Sequence, residues 1–171
     1  MSHTDSESVE RLRDIIKDVK ICMLTTTEAD GSFRARPMEI QGTEFDGDLW
    51  FFTKEHSGKV EEIQKDRQVG VSISEPKGQR YVSLSGTANL VNDKEKMKEL
   101  WSPLYKAWFP DGLEDPELAL LKVTVNGGEY WDSPASPVVY LFGAAKAALT
   151  GKEFHPGEHG KVDLASGASL K

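Results

Sequence analysis

The chain has 171 residues, and 21 Lys and Arg against 28 Asp and Glu give it a net charge of −7. That length suits one domain, and the acidic balance argues against a protein that tracks a nucleic-acid backbone. With 38% hydrophobic and 29% charged residues and one cysteine, it has the make-up of a folded chain without a disulfide or a cysteine metal cage.

Thr4-Asp5-Ser6-Glu7 has the spacing of a capping box, and Val9, Leu12, Ile15 or Ile16 and Val19 recur at helical intervals behind it. From Ile21 the pattern becomes that of a strand, Ile21 to Thr27, with a turn at Glu28-Ala29-Asp30-Gly31-Ser32 and a returning strand from Phe33 to Ile40. Phe45-Asp46-Gly47-Asp48 turns the chain into the apolar strand Leu49-Trp50-Phe51-Phe52-Thr53. A short helix from about Gly58 to Lys65 presents Val60 and Ile63, and a strand Val69 to Ile73 follows. Tyr81 to Val91 alternates, with Val82, Leu84, Gly86, Ala88 and Leu90 on one side. Asp93 to Trp101 is a charged helix, and Pro103 to Pro116 is an aromatic, proline-rich connection. A last hairpin is expected across Asn126-Gly127-Gly128, between Leu120 to Val125 and Glu129 to Asp132. Six or seven mostly antiparallel strands with helices at the margins make a mainly β, α+β architecture, a small split or closed barrel. The domain is expected over 1–150, with a loose C-terminal tail over 151–171.

The N-terminus lacks the basic and apolar regions of a signal peptide, and the longest nearly unbroken apolar run, Val138 to Ala145, is short of the ~18 residues of a spanning helix. The expectation is a cytoplasmic protein with no membrane and no nucleic-acid partner.

Some apparent motifs carry no chemistry. His155-Pro156-Gly157-Glu158-His159 fits H-x-x-E-H, but Pro and Gly break the helix that a zinc site of that kind needs, so no metal is expected. Ser57-Gly58-Lys59 resembles the end of a P-loop, yet Thr53 stands where the required glycine belongs. No G-x-S-x-G occurs. Lys94, Lys96 and Lys98 read as a solvated face, Asp111, Glu114, Asp115 and Glu117 as a polar loop, and Cys22 as a buried thiol.

A weaker anion-binding argument survives. Thr53 to Lys59 joins an apolar strand to a helix, whose first N–H groups lack partners and carry partial positive charge. Ser57 adds a hydroxyl, Gly58 permits close approach and Lys59 adds a full charge. The bland alternative is that Ser57 caps the helix and Lys59 is solvated. Arg34 and Arg36, two apart on a strand, share a face and repel each other unless an anion or carboxylates sit between them. Four Trp and seven Phe add flat surface. Trp101, Trp108, Phe109 and Trp131, in connections or at strand ends, suit either a planar phosphate-bearing ligand or a subunit interface.

Arg36-Pro37-Met38, the strand Leu49 to Thr53, Ser57 with Lys59 and Ile63, Val82-Ser83-Leu84-Ser85-Gly86-Thr87-Ala88, Trp108-Phe109-Pro110 with Gly112, and Glu129-Tyr130-Trp131-Asp132 together resemble the FMN-binding split barrels related to pyridoxamine 5′-phosphate oxidase. The last two pieces resemble the bacterial general stress protein branch. The resemblance covers about residues 6–150 and implies a homodimer of split barrels with FMN, or FAD, at the subunit interface. It implies that Ser57 and Lys59 hold the phosphate with Arg36 close by. Pro37, Met38, Phe51, Phe52 and Thr53 would line the ring and ribityl chain, and Trp131 with Trp108 would come from the partner subunit.

True pyridoxamine-phosphate oxidases carry a C-terminal Arg-Leu-His-type segment, whereas this chain has Val138 to Ala147 as an apolar, helix-like stretch and no Arg after Arg80. No acid–base pair identifies a substrate, so the catalytic residues stay unassigned. The leading expectation is an FMN-binding stress protein that binds or stores flavin, with low-specificity oxidoreductase activity as an extension. The alternatives are a dedicated FMN- or deazaflavin-dependent reductase or oxidase, and a non-flavin dimeric interaction protein.

Overall fold

The computed structural model describes residues 2–42, 44–133, 144, 146, 148, 150, 151 and 157–164. Helix α1 (Ser2–Asp18) buries Val9, Leu12, Ile15 and Ile16 at the helical period. It begins ahead of Thr4, so Thr4 is not its cap. Nothing in Ser2-His3 stops the helix from extending past a capping signal.

Strands β1 (Ile21–Thr27) and β2 (Phe33–Glu39) form the expected hairpin, in register from Ile21↔Glu39 to Thr27↔Phe33. Then come β3 (Asp48–Lys54), α2 (Gly58–Lys65), β4 (Gln68–Glu75), β5 (Arg80–Val91), α3 (Lys94–Leu100), 3₁₀ turns at Pro103–Ala107 and Gly112–Glu114, β6 (Leu118–Asp132) and β7 (Glu158–Asp163). The pairings are antiparallel, in the order β2-β1-β4-β5-β6-β3 with β7 also on β6. A Gln41↔Trp50 bridge ties the two ends of that order together. The fold is the mainly β, antiparallel split barrel with marginal helices that the sequence indicated.

Inward residues of the strands, among them Leu24, Phe51, Val71, Leu84 and Val123, join the stripe of α1 in the main core. A second cluster lies where α3 and the 3₁₀ turns cover β3 and β6, built on Met97, Phe109, Leu118 and Leu120 with Phe52, Trp101 and Tyr105 at its edge. Among the described residues, no helix is long and apolar enough to cross a membrane.

Two further expectations need correction. Asn126-Gly127-Gly128 does not turn a hairpin: β6 runs straight through it, and the register against β5 shifts between Ser85 and Gly86, which pair with Gly127 and Val125. Asn126 is therefore the extra residue of a bulge. A Cβ at Gly128 would lie 2.6 Å from the Ser83 carbonyl oxygen and 2.5 Å from a Leu84 methyl, so glycine is there for close approach, not for a turn. Nor is all of 151–171 a loose tail. Glu158–Asp163 pairs with Gly127–Asp132, held by Lys161–Glu129 at 2.9 Å and by the His159 ring stacked on Trp131. Val162 is its one buried apolar residue, so no hydrophobic period marks the strand. Glu158 and His159 of the H-x-x-E-H string are strand residues, while His155 and Pro156, like most of Val138 to Ala147, lie outside the described residues.

Candidate functional site

The passage from β3 into α2 makes a polar corner. Thr53, at 3% exposure, ends the inward alternation of β3, and its Oγ1 lies 3.4 Å from the Ser57 hydroxyl. Ser57 precedes α2 but makes no capping hydrogen bond. Its Oγ instead accepts from Lys59 Nζ at 3.3 Å. Lys59 is partly buried, and burial, followed by the charge of Arg36, holds its pKa below the ordinary lysine value, with Glu62 opposing the shift. The bland alternative of a capping serine and a solvated lysine is not what the chain forms.

The corner opens into a cleft of about 440 Å³ walled by Pro37, Met38, Phe52, Thr53, Lys59 and Trp108, among others. That volume is in the range of small-molecule and cofactor sites. Phe52 stacks edge-on with Trp101 at 5.7 Å and tilts against Tyr105 at 5.1 Å, which stiffens that wall. Glu39, Gln41 and Tyr105 add a second polar group to the lining. The Tyr105 hydroxyl donates to Gln41 Oε1 at 2.6 Å. Burial, then the Glu39 charge, pushes its pKa up. Gln41 bridges to Trp50, and Thr53 is three residues further along β3, about 10 Å at strand spacing. The cleft thus offers cationic and hydroxyl donors, flat apolar walls, and a separate polar group roughly a ring system away.

Arg34 and Arg36 find carboxylates. Arg34 meets Glu28 at 3.4 Å, and Arg36 meets Glu62 of α2 at 2.7 Å while donating to Thr26 Oγ1 at 2.8 Å. Of the two resolutions left open by the sequence, carboxylates sit beside both arginines.

Pro37, Met38, Phe52, Thr53, Lys59 and Trp108 come together in one cleft, with Ser57 bonded to two of its residues and Arg36 acting on Lys59 electrostatically. Phe51 is fully buried in the core and offers the cleft no side chain. Trp131 lies elsewhere on the sheet, between Tyr81 of β5 and His159 of β7. Sequence reasoning missed Glu62, Thr26, Glu39, Gln41 and Tyr105. Only Glu62 carried a signal: it follows Lys59 by three residues and so shares its helix face. Among the described residues, no group of three or more His, Cys, Asp or Glu is placed to hold a metal ion.

Fold and cleft define a split-barrel protein with an open cleft that joins flat apolar walls to a lysine and hydroxyl groups. The chain belongs to the pyridoxamine 5′-phosphate oxidase-like family, whose sequence model matches residues 7–155. It is similar to a candidate general stress protein 26 from Jannaschia sp. CCS1, with 28% identity, a TM-score of 0.76, and 93% of this chain and 99% of the other covered. It is also similar to a general stress FMN/FAD binding protein from the phytopathogen Xanthomonas citri, with 28% identity and a TM-score of 0.65 over 74% of this chain and 89% of the other. Protein bli-3 of Neurospora crassa is 29% identical over 156 residues, 85% of this chain and 75% of that protein.

Proposed function

We propose that this chain is a cytoplasmic, flavin-binding stress protein that holds FMN phosphate-first in the cleft and works as a homodimer. The supporting observation is the Thr53–Ser57–Lys59 corner, where a serine in cap position leaves the helix uncapped and turns to a half-buried lysine. Ser57 and Lys59 would hold the phosphate. Pro37, Met38, Phe52 and Trp108 would flank the ring system, and Glu39, Gln41 and Tyr105 supply polar atoms for its edge. Ile21, Pro37 and Glu39 belong both to the cleft lining and to one face of the β1–β2 hairpin. A second copy set on that face therefore closes the cleft and can bring its own Trp131 to it. A bound flavin supplies hydride and electron chemistry, while the chain positions it and excludes water. A low-specificity oxidoreductase activity follows from such a site.

The purified protein is expected to be yellow and to release FMN identifiable by mass. A colourless preparation that ignores added FMN overturns the reading. Lys59→Ala should weaken FMN by roughly ten- to a hundredfold, the worth of a charge-assisted hydrogen bond, and riboflavin far less. Equal losses for the two ligands would remove Lys59 from the phosphate site.

A further inference from the structure

An anion site has little use for a carboxylate, yet Glu62 projects one into this corner from α2. It accepts from Thr26 Oγ1 at 2.5 Å and from Arg36 Nη2 at 2.7 Å, and Arg36 Nη1 donates in turn to Thr26 Oγ1 at 2.8 Å. The ring of contacts spans β1, β2 and α2, with the Arg36 and Glu62 side chains only 18% and 13% exposed. Burial alone would push the Glu62 carboxyl up, but the hydrogen bonds from Thr26 and Arg36, together with the charges of Arg36 and Arg34, offset it and hold it below the ordinary range. Lys59 feels both partners, opposed by Arg36 and favoured by Glu62. Two cations and one anion leave the corner a single net positive charge.

Resting on the flavin-phosphate reading above, we propose that Glu62 is a positioning residue that restrains phosphate affinity. It pins the guanidinium of Arg36, cancels its charge, and leaves the phosphate to Lys59 and Ser57. A phosphorylated flavin is then attracted by Lys59 but gains nothing net from the neutralised Arg36, whereas an uncharged ribityl end is indifferent to both. The consequence is a flavin that exchanges, as a binding or storage protein requires, rather than one that is held permanently. A purely architectural ion pair, tying α2 to the hairpin, treats the two ligands alike.

The test is fluorescence titration of the full chain with FMN and with riboflavin, with thermal melts confirming the fold of each variant. Glu62→Gln frees the Arg36 charge and should raise the FMN-to-riboflavin affinity ratio on the order of tenfold, with a steeper loss of that ratio in salt. The double variant Arg36→Gln/Glu62→Gln leaves no unpaired buried charge, so it keeps the test alive if the single variant does not fold. Its ratio should return to within about threefold of wild type, since Lys59 alone again sets the net charge. A ratio unchanged or lowered in Glu62→Gln overturns the role of Glu62, and so does a double variant whose ratio collapses, because Arg36 would then be a direct phosphate ligand. In both cases a selective loss in Lys59→Ala still upholds the phosphate site. A wild-type chain that binds FMN no better than riboflavin overturns both.

Discussion

Lys59 is where the electrostatics of the site can be read through pH. Burial, then Arg36, disfavours its ammonium, so its pKa in the folded chain lies below 10.5. Between that lowered value and 10.5 the unfolded chain binds more protons than the folded one, so stability rises with pH across the window. A bound phosphate acts in the opposite sense by keeping the proton on. The preference for FMN over riboflavin is therefore expected to fall as pH climbs through the lowered Lys59 value, already below 10.5. A preference that stays level up to that point would detach Lys59 from the phosphate. Cys22 gives a second readout. At 2% exposure, burial pushes its thiol up from 9.0 to about 12. The neutral thiol is favoured in the fold, so its contribution is complete below 9.0 and is lost as pH rises toward 12. In the native protein a thiol reagent should leave Cys22 untouched under conditions where the unfolded chain reacts at once. Rapid native labelling would contradict the burial.

Strand β6 is the element on which the barrel turns, because its first half pairs with β3 and its second half with β7, while β5 runs along both. The bulge at Asn126 separates the two halves, and Gly128 lets β5 approach beyond it. Gly128→Ala should destabilise the fold by ~1–3 kcal/mol, since the new methyl meets the β5 backbone. The measurement is a lower urea midpoint at unchanged slope. Gly58→Ala, whose Cβ meets nothing nearer than Glu62 Oε1 at 3.9 Å, serves as the control and should change stability little. Beside these elements it is plain why some of the molecule was legible and some was not. The alternation of β5 and the apolar positions of α1 and α2 write their burial directly into the sequence, and the chemistry of Ser57 and Lys59 singled out two side chains that the structure brings together. Asn126-Gly127-Gly128 misleads because the same residues serve a hairpin turn and a bulge, and only the partner strand decides. β7 was invisible because ion pairs and one ring stack, not a hydrophobic period, hold it. Glu62 was missed because its meaning lies in Arg36, 26 residues earlier and on another element.

At the scale of the molecule, the sheet has one face filled by the core and α1. Among the described residues the other face is covered by α3 and the 3₁₀ turns over β3 and β6, and is open along β2, β1, β4 and β5. Along the open face the register sets Ile21 and Met23 of β1 opposite Glu39 and Pro37 of β2, and Met23 opposite Ser72 of β4. Beyond them lie Ser83 and Ser85, and then Tyr81 beside Trp131. Small side chains form a shelf between larger apolar ones that remain accessible, Ile21 at 54%, Met23 at 39%, Tyr81 at 42% and Trp131 at 39%. Exposed apolar residues grouped in this way are characteristic of a contact surface, and two such sheets can pack face to face. The proposed homodimer uses this shelf, and the cleft shares Ile21, Pro37 and Glu39 with it, so assembly and ligand binding should be coupled. Met23 is outside the cleft lining, which makes Met23→Lys a clean probe of that coupling. By sedimentation the variant is expected to shift to monomer at concentrations where the wild type is dimeric. Flavin affinity should fall with it for FMN and riboflavin alike, since the loss is of ring contacts and not of phosphate contacts. A variant that becomes monomeric yet binds both flavins as before would mean that one chain completes the site alone, and Trp131 would then have no part in it.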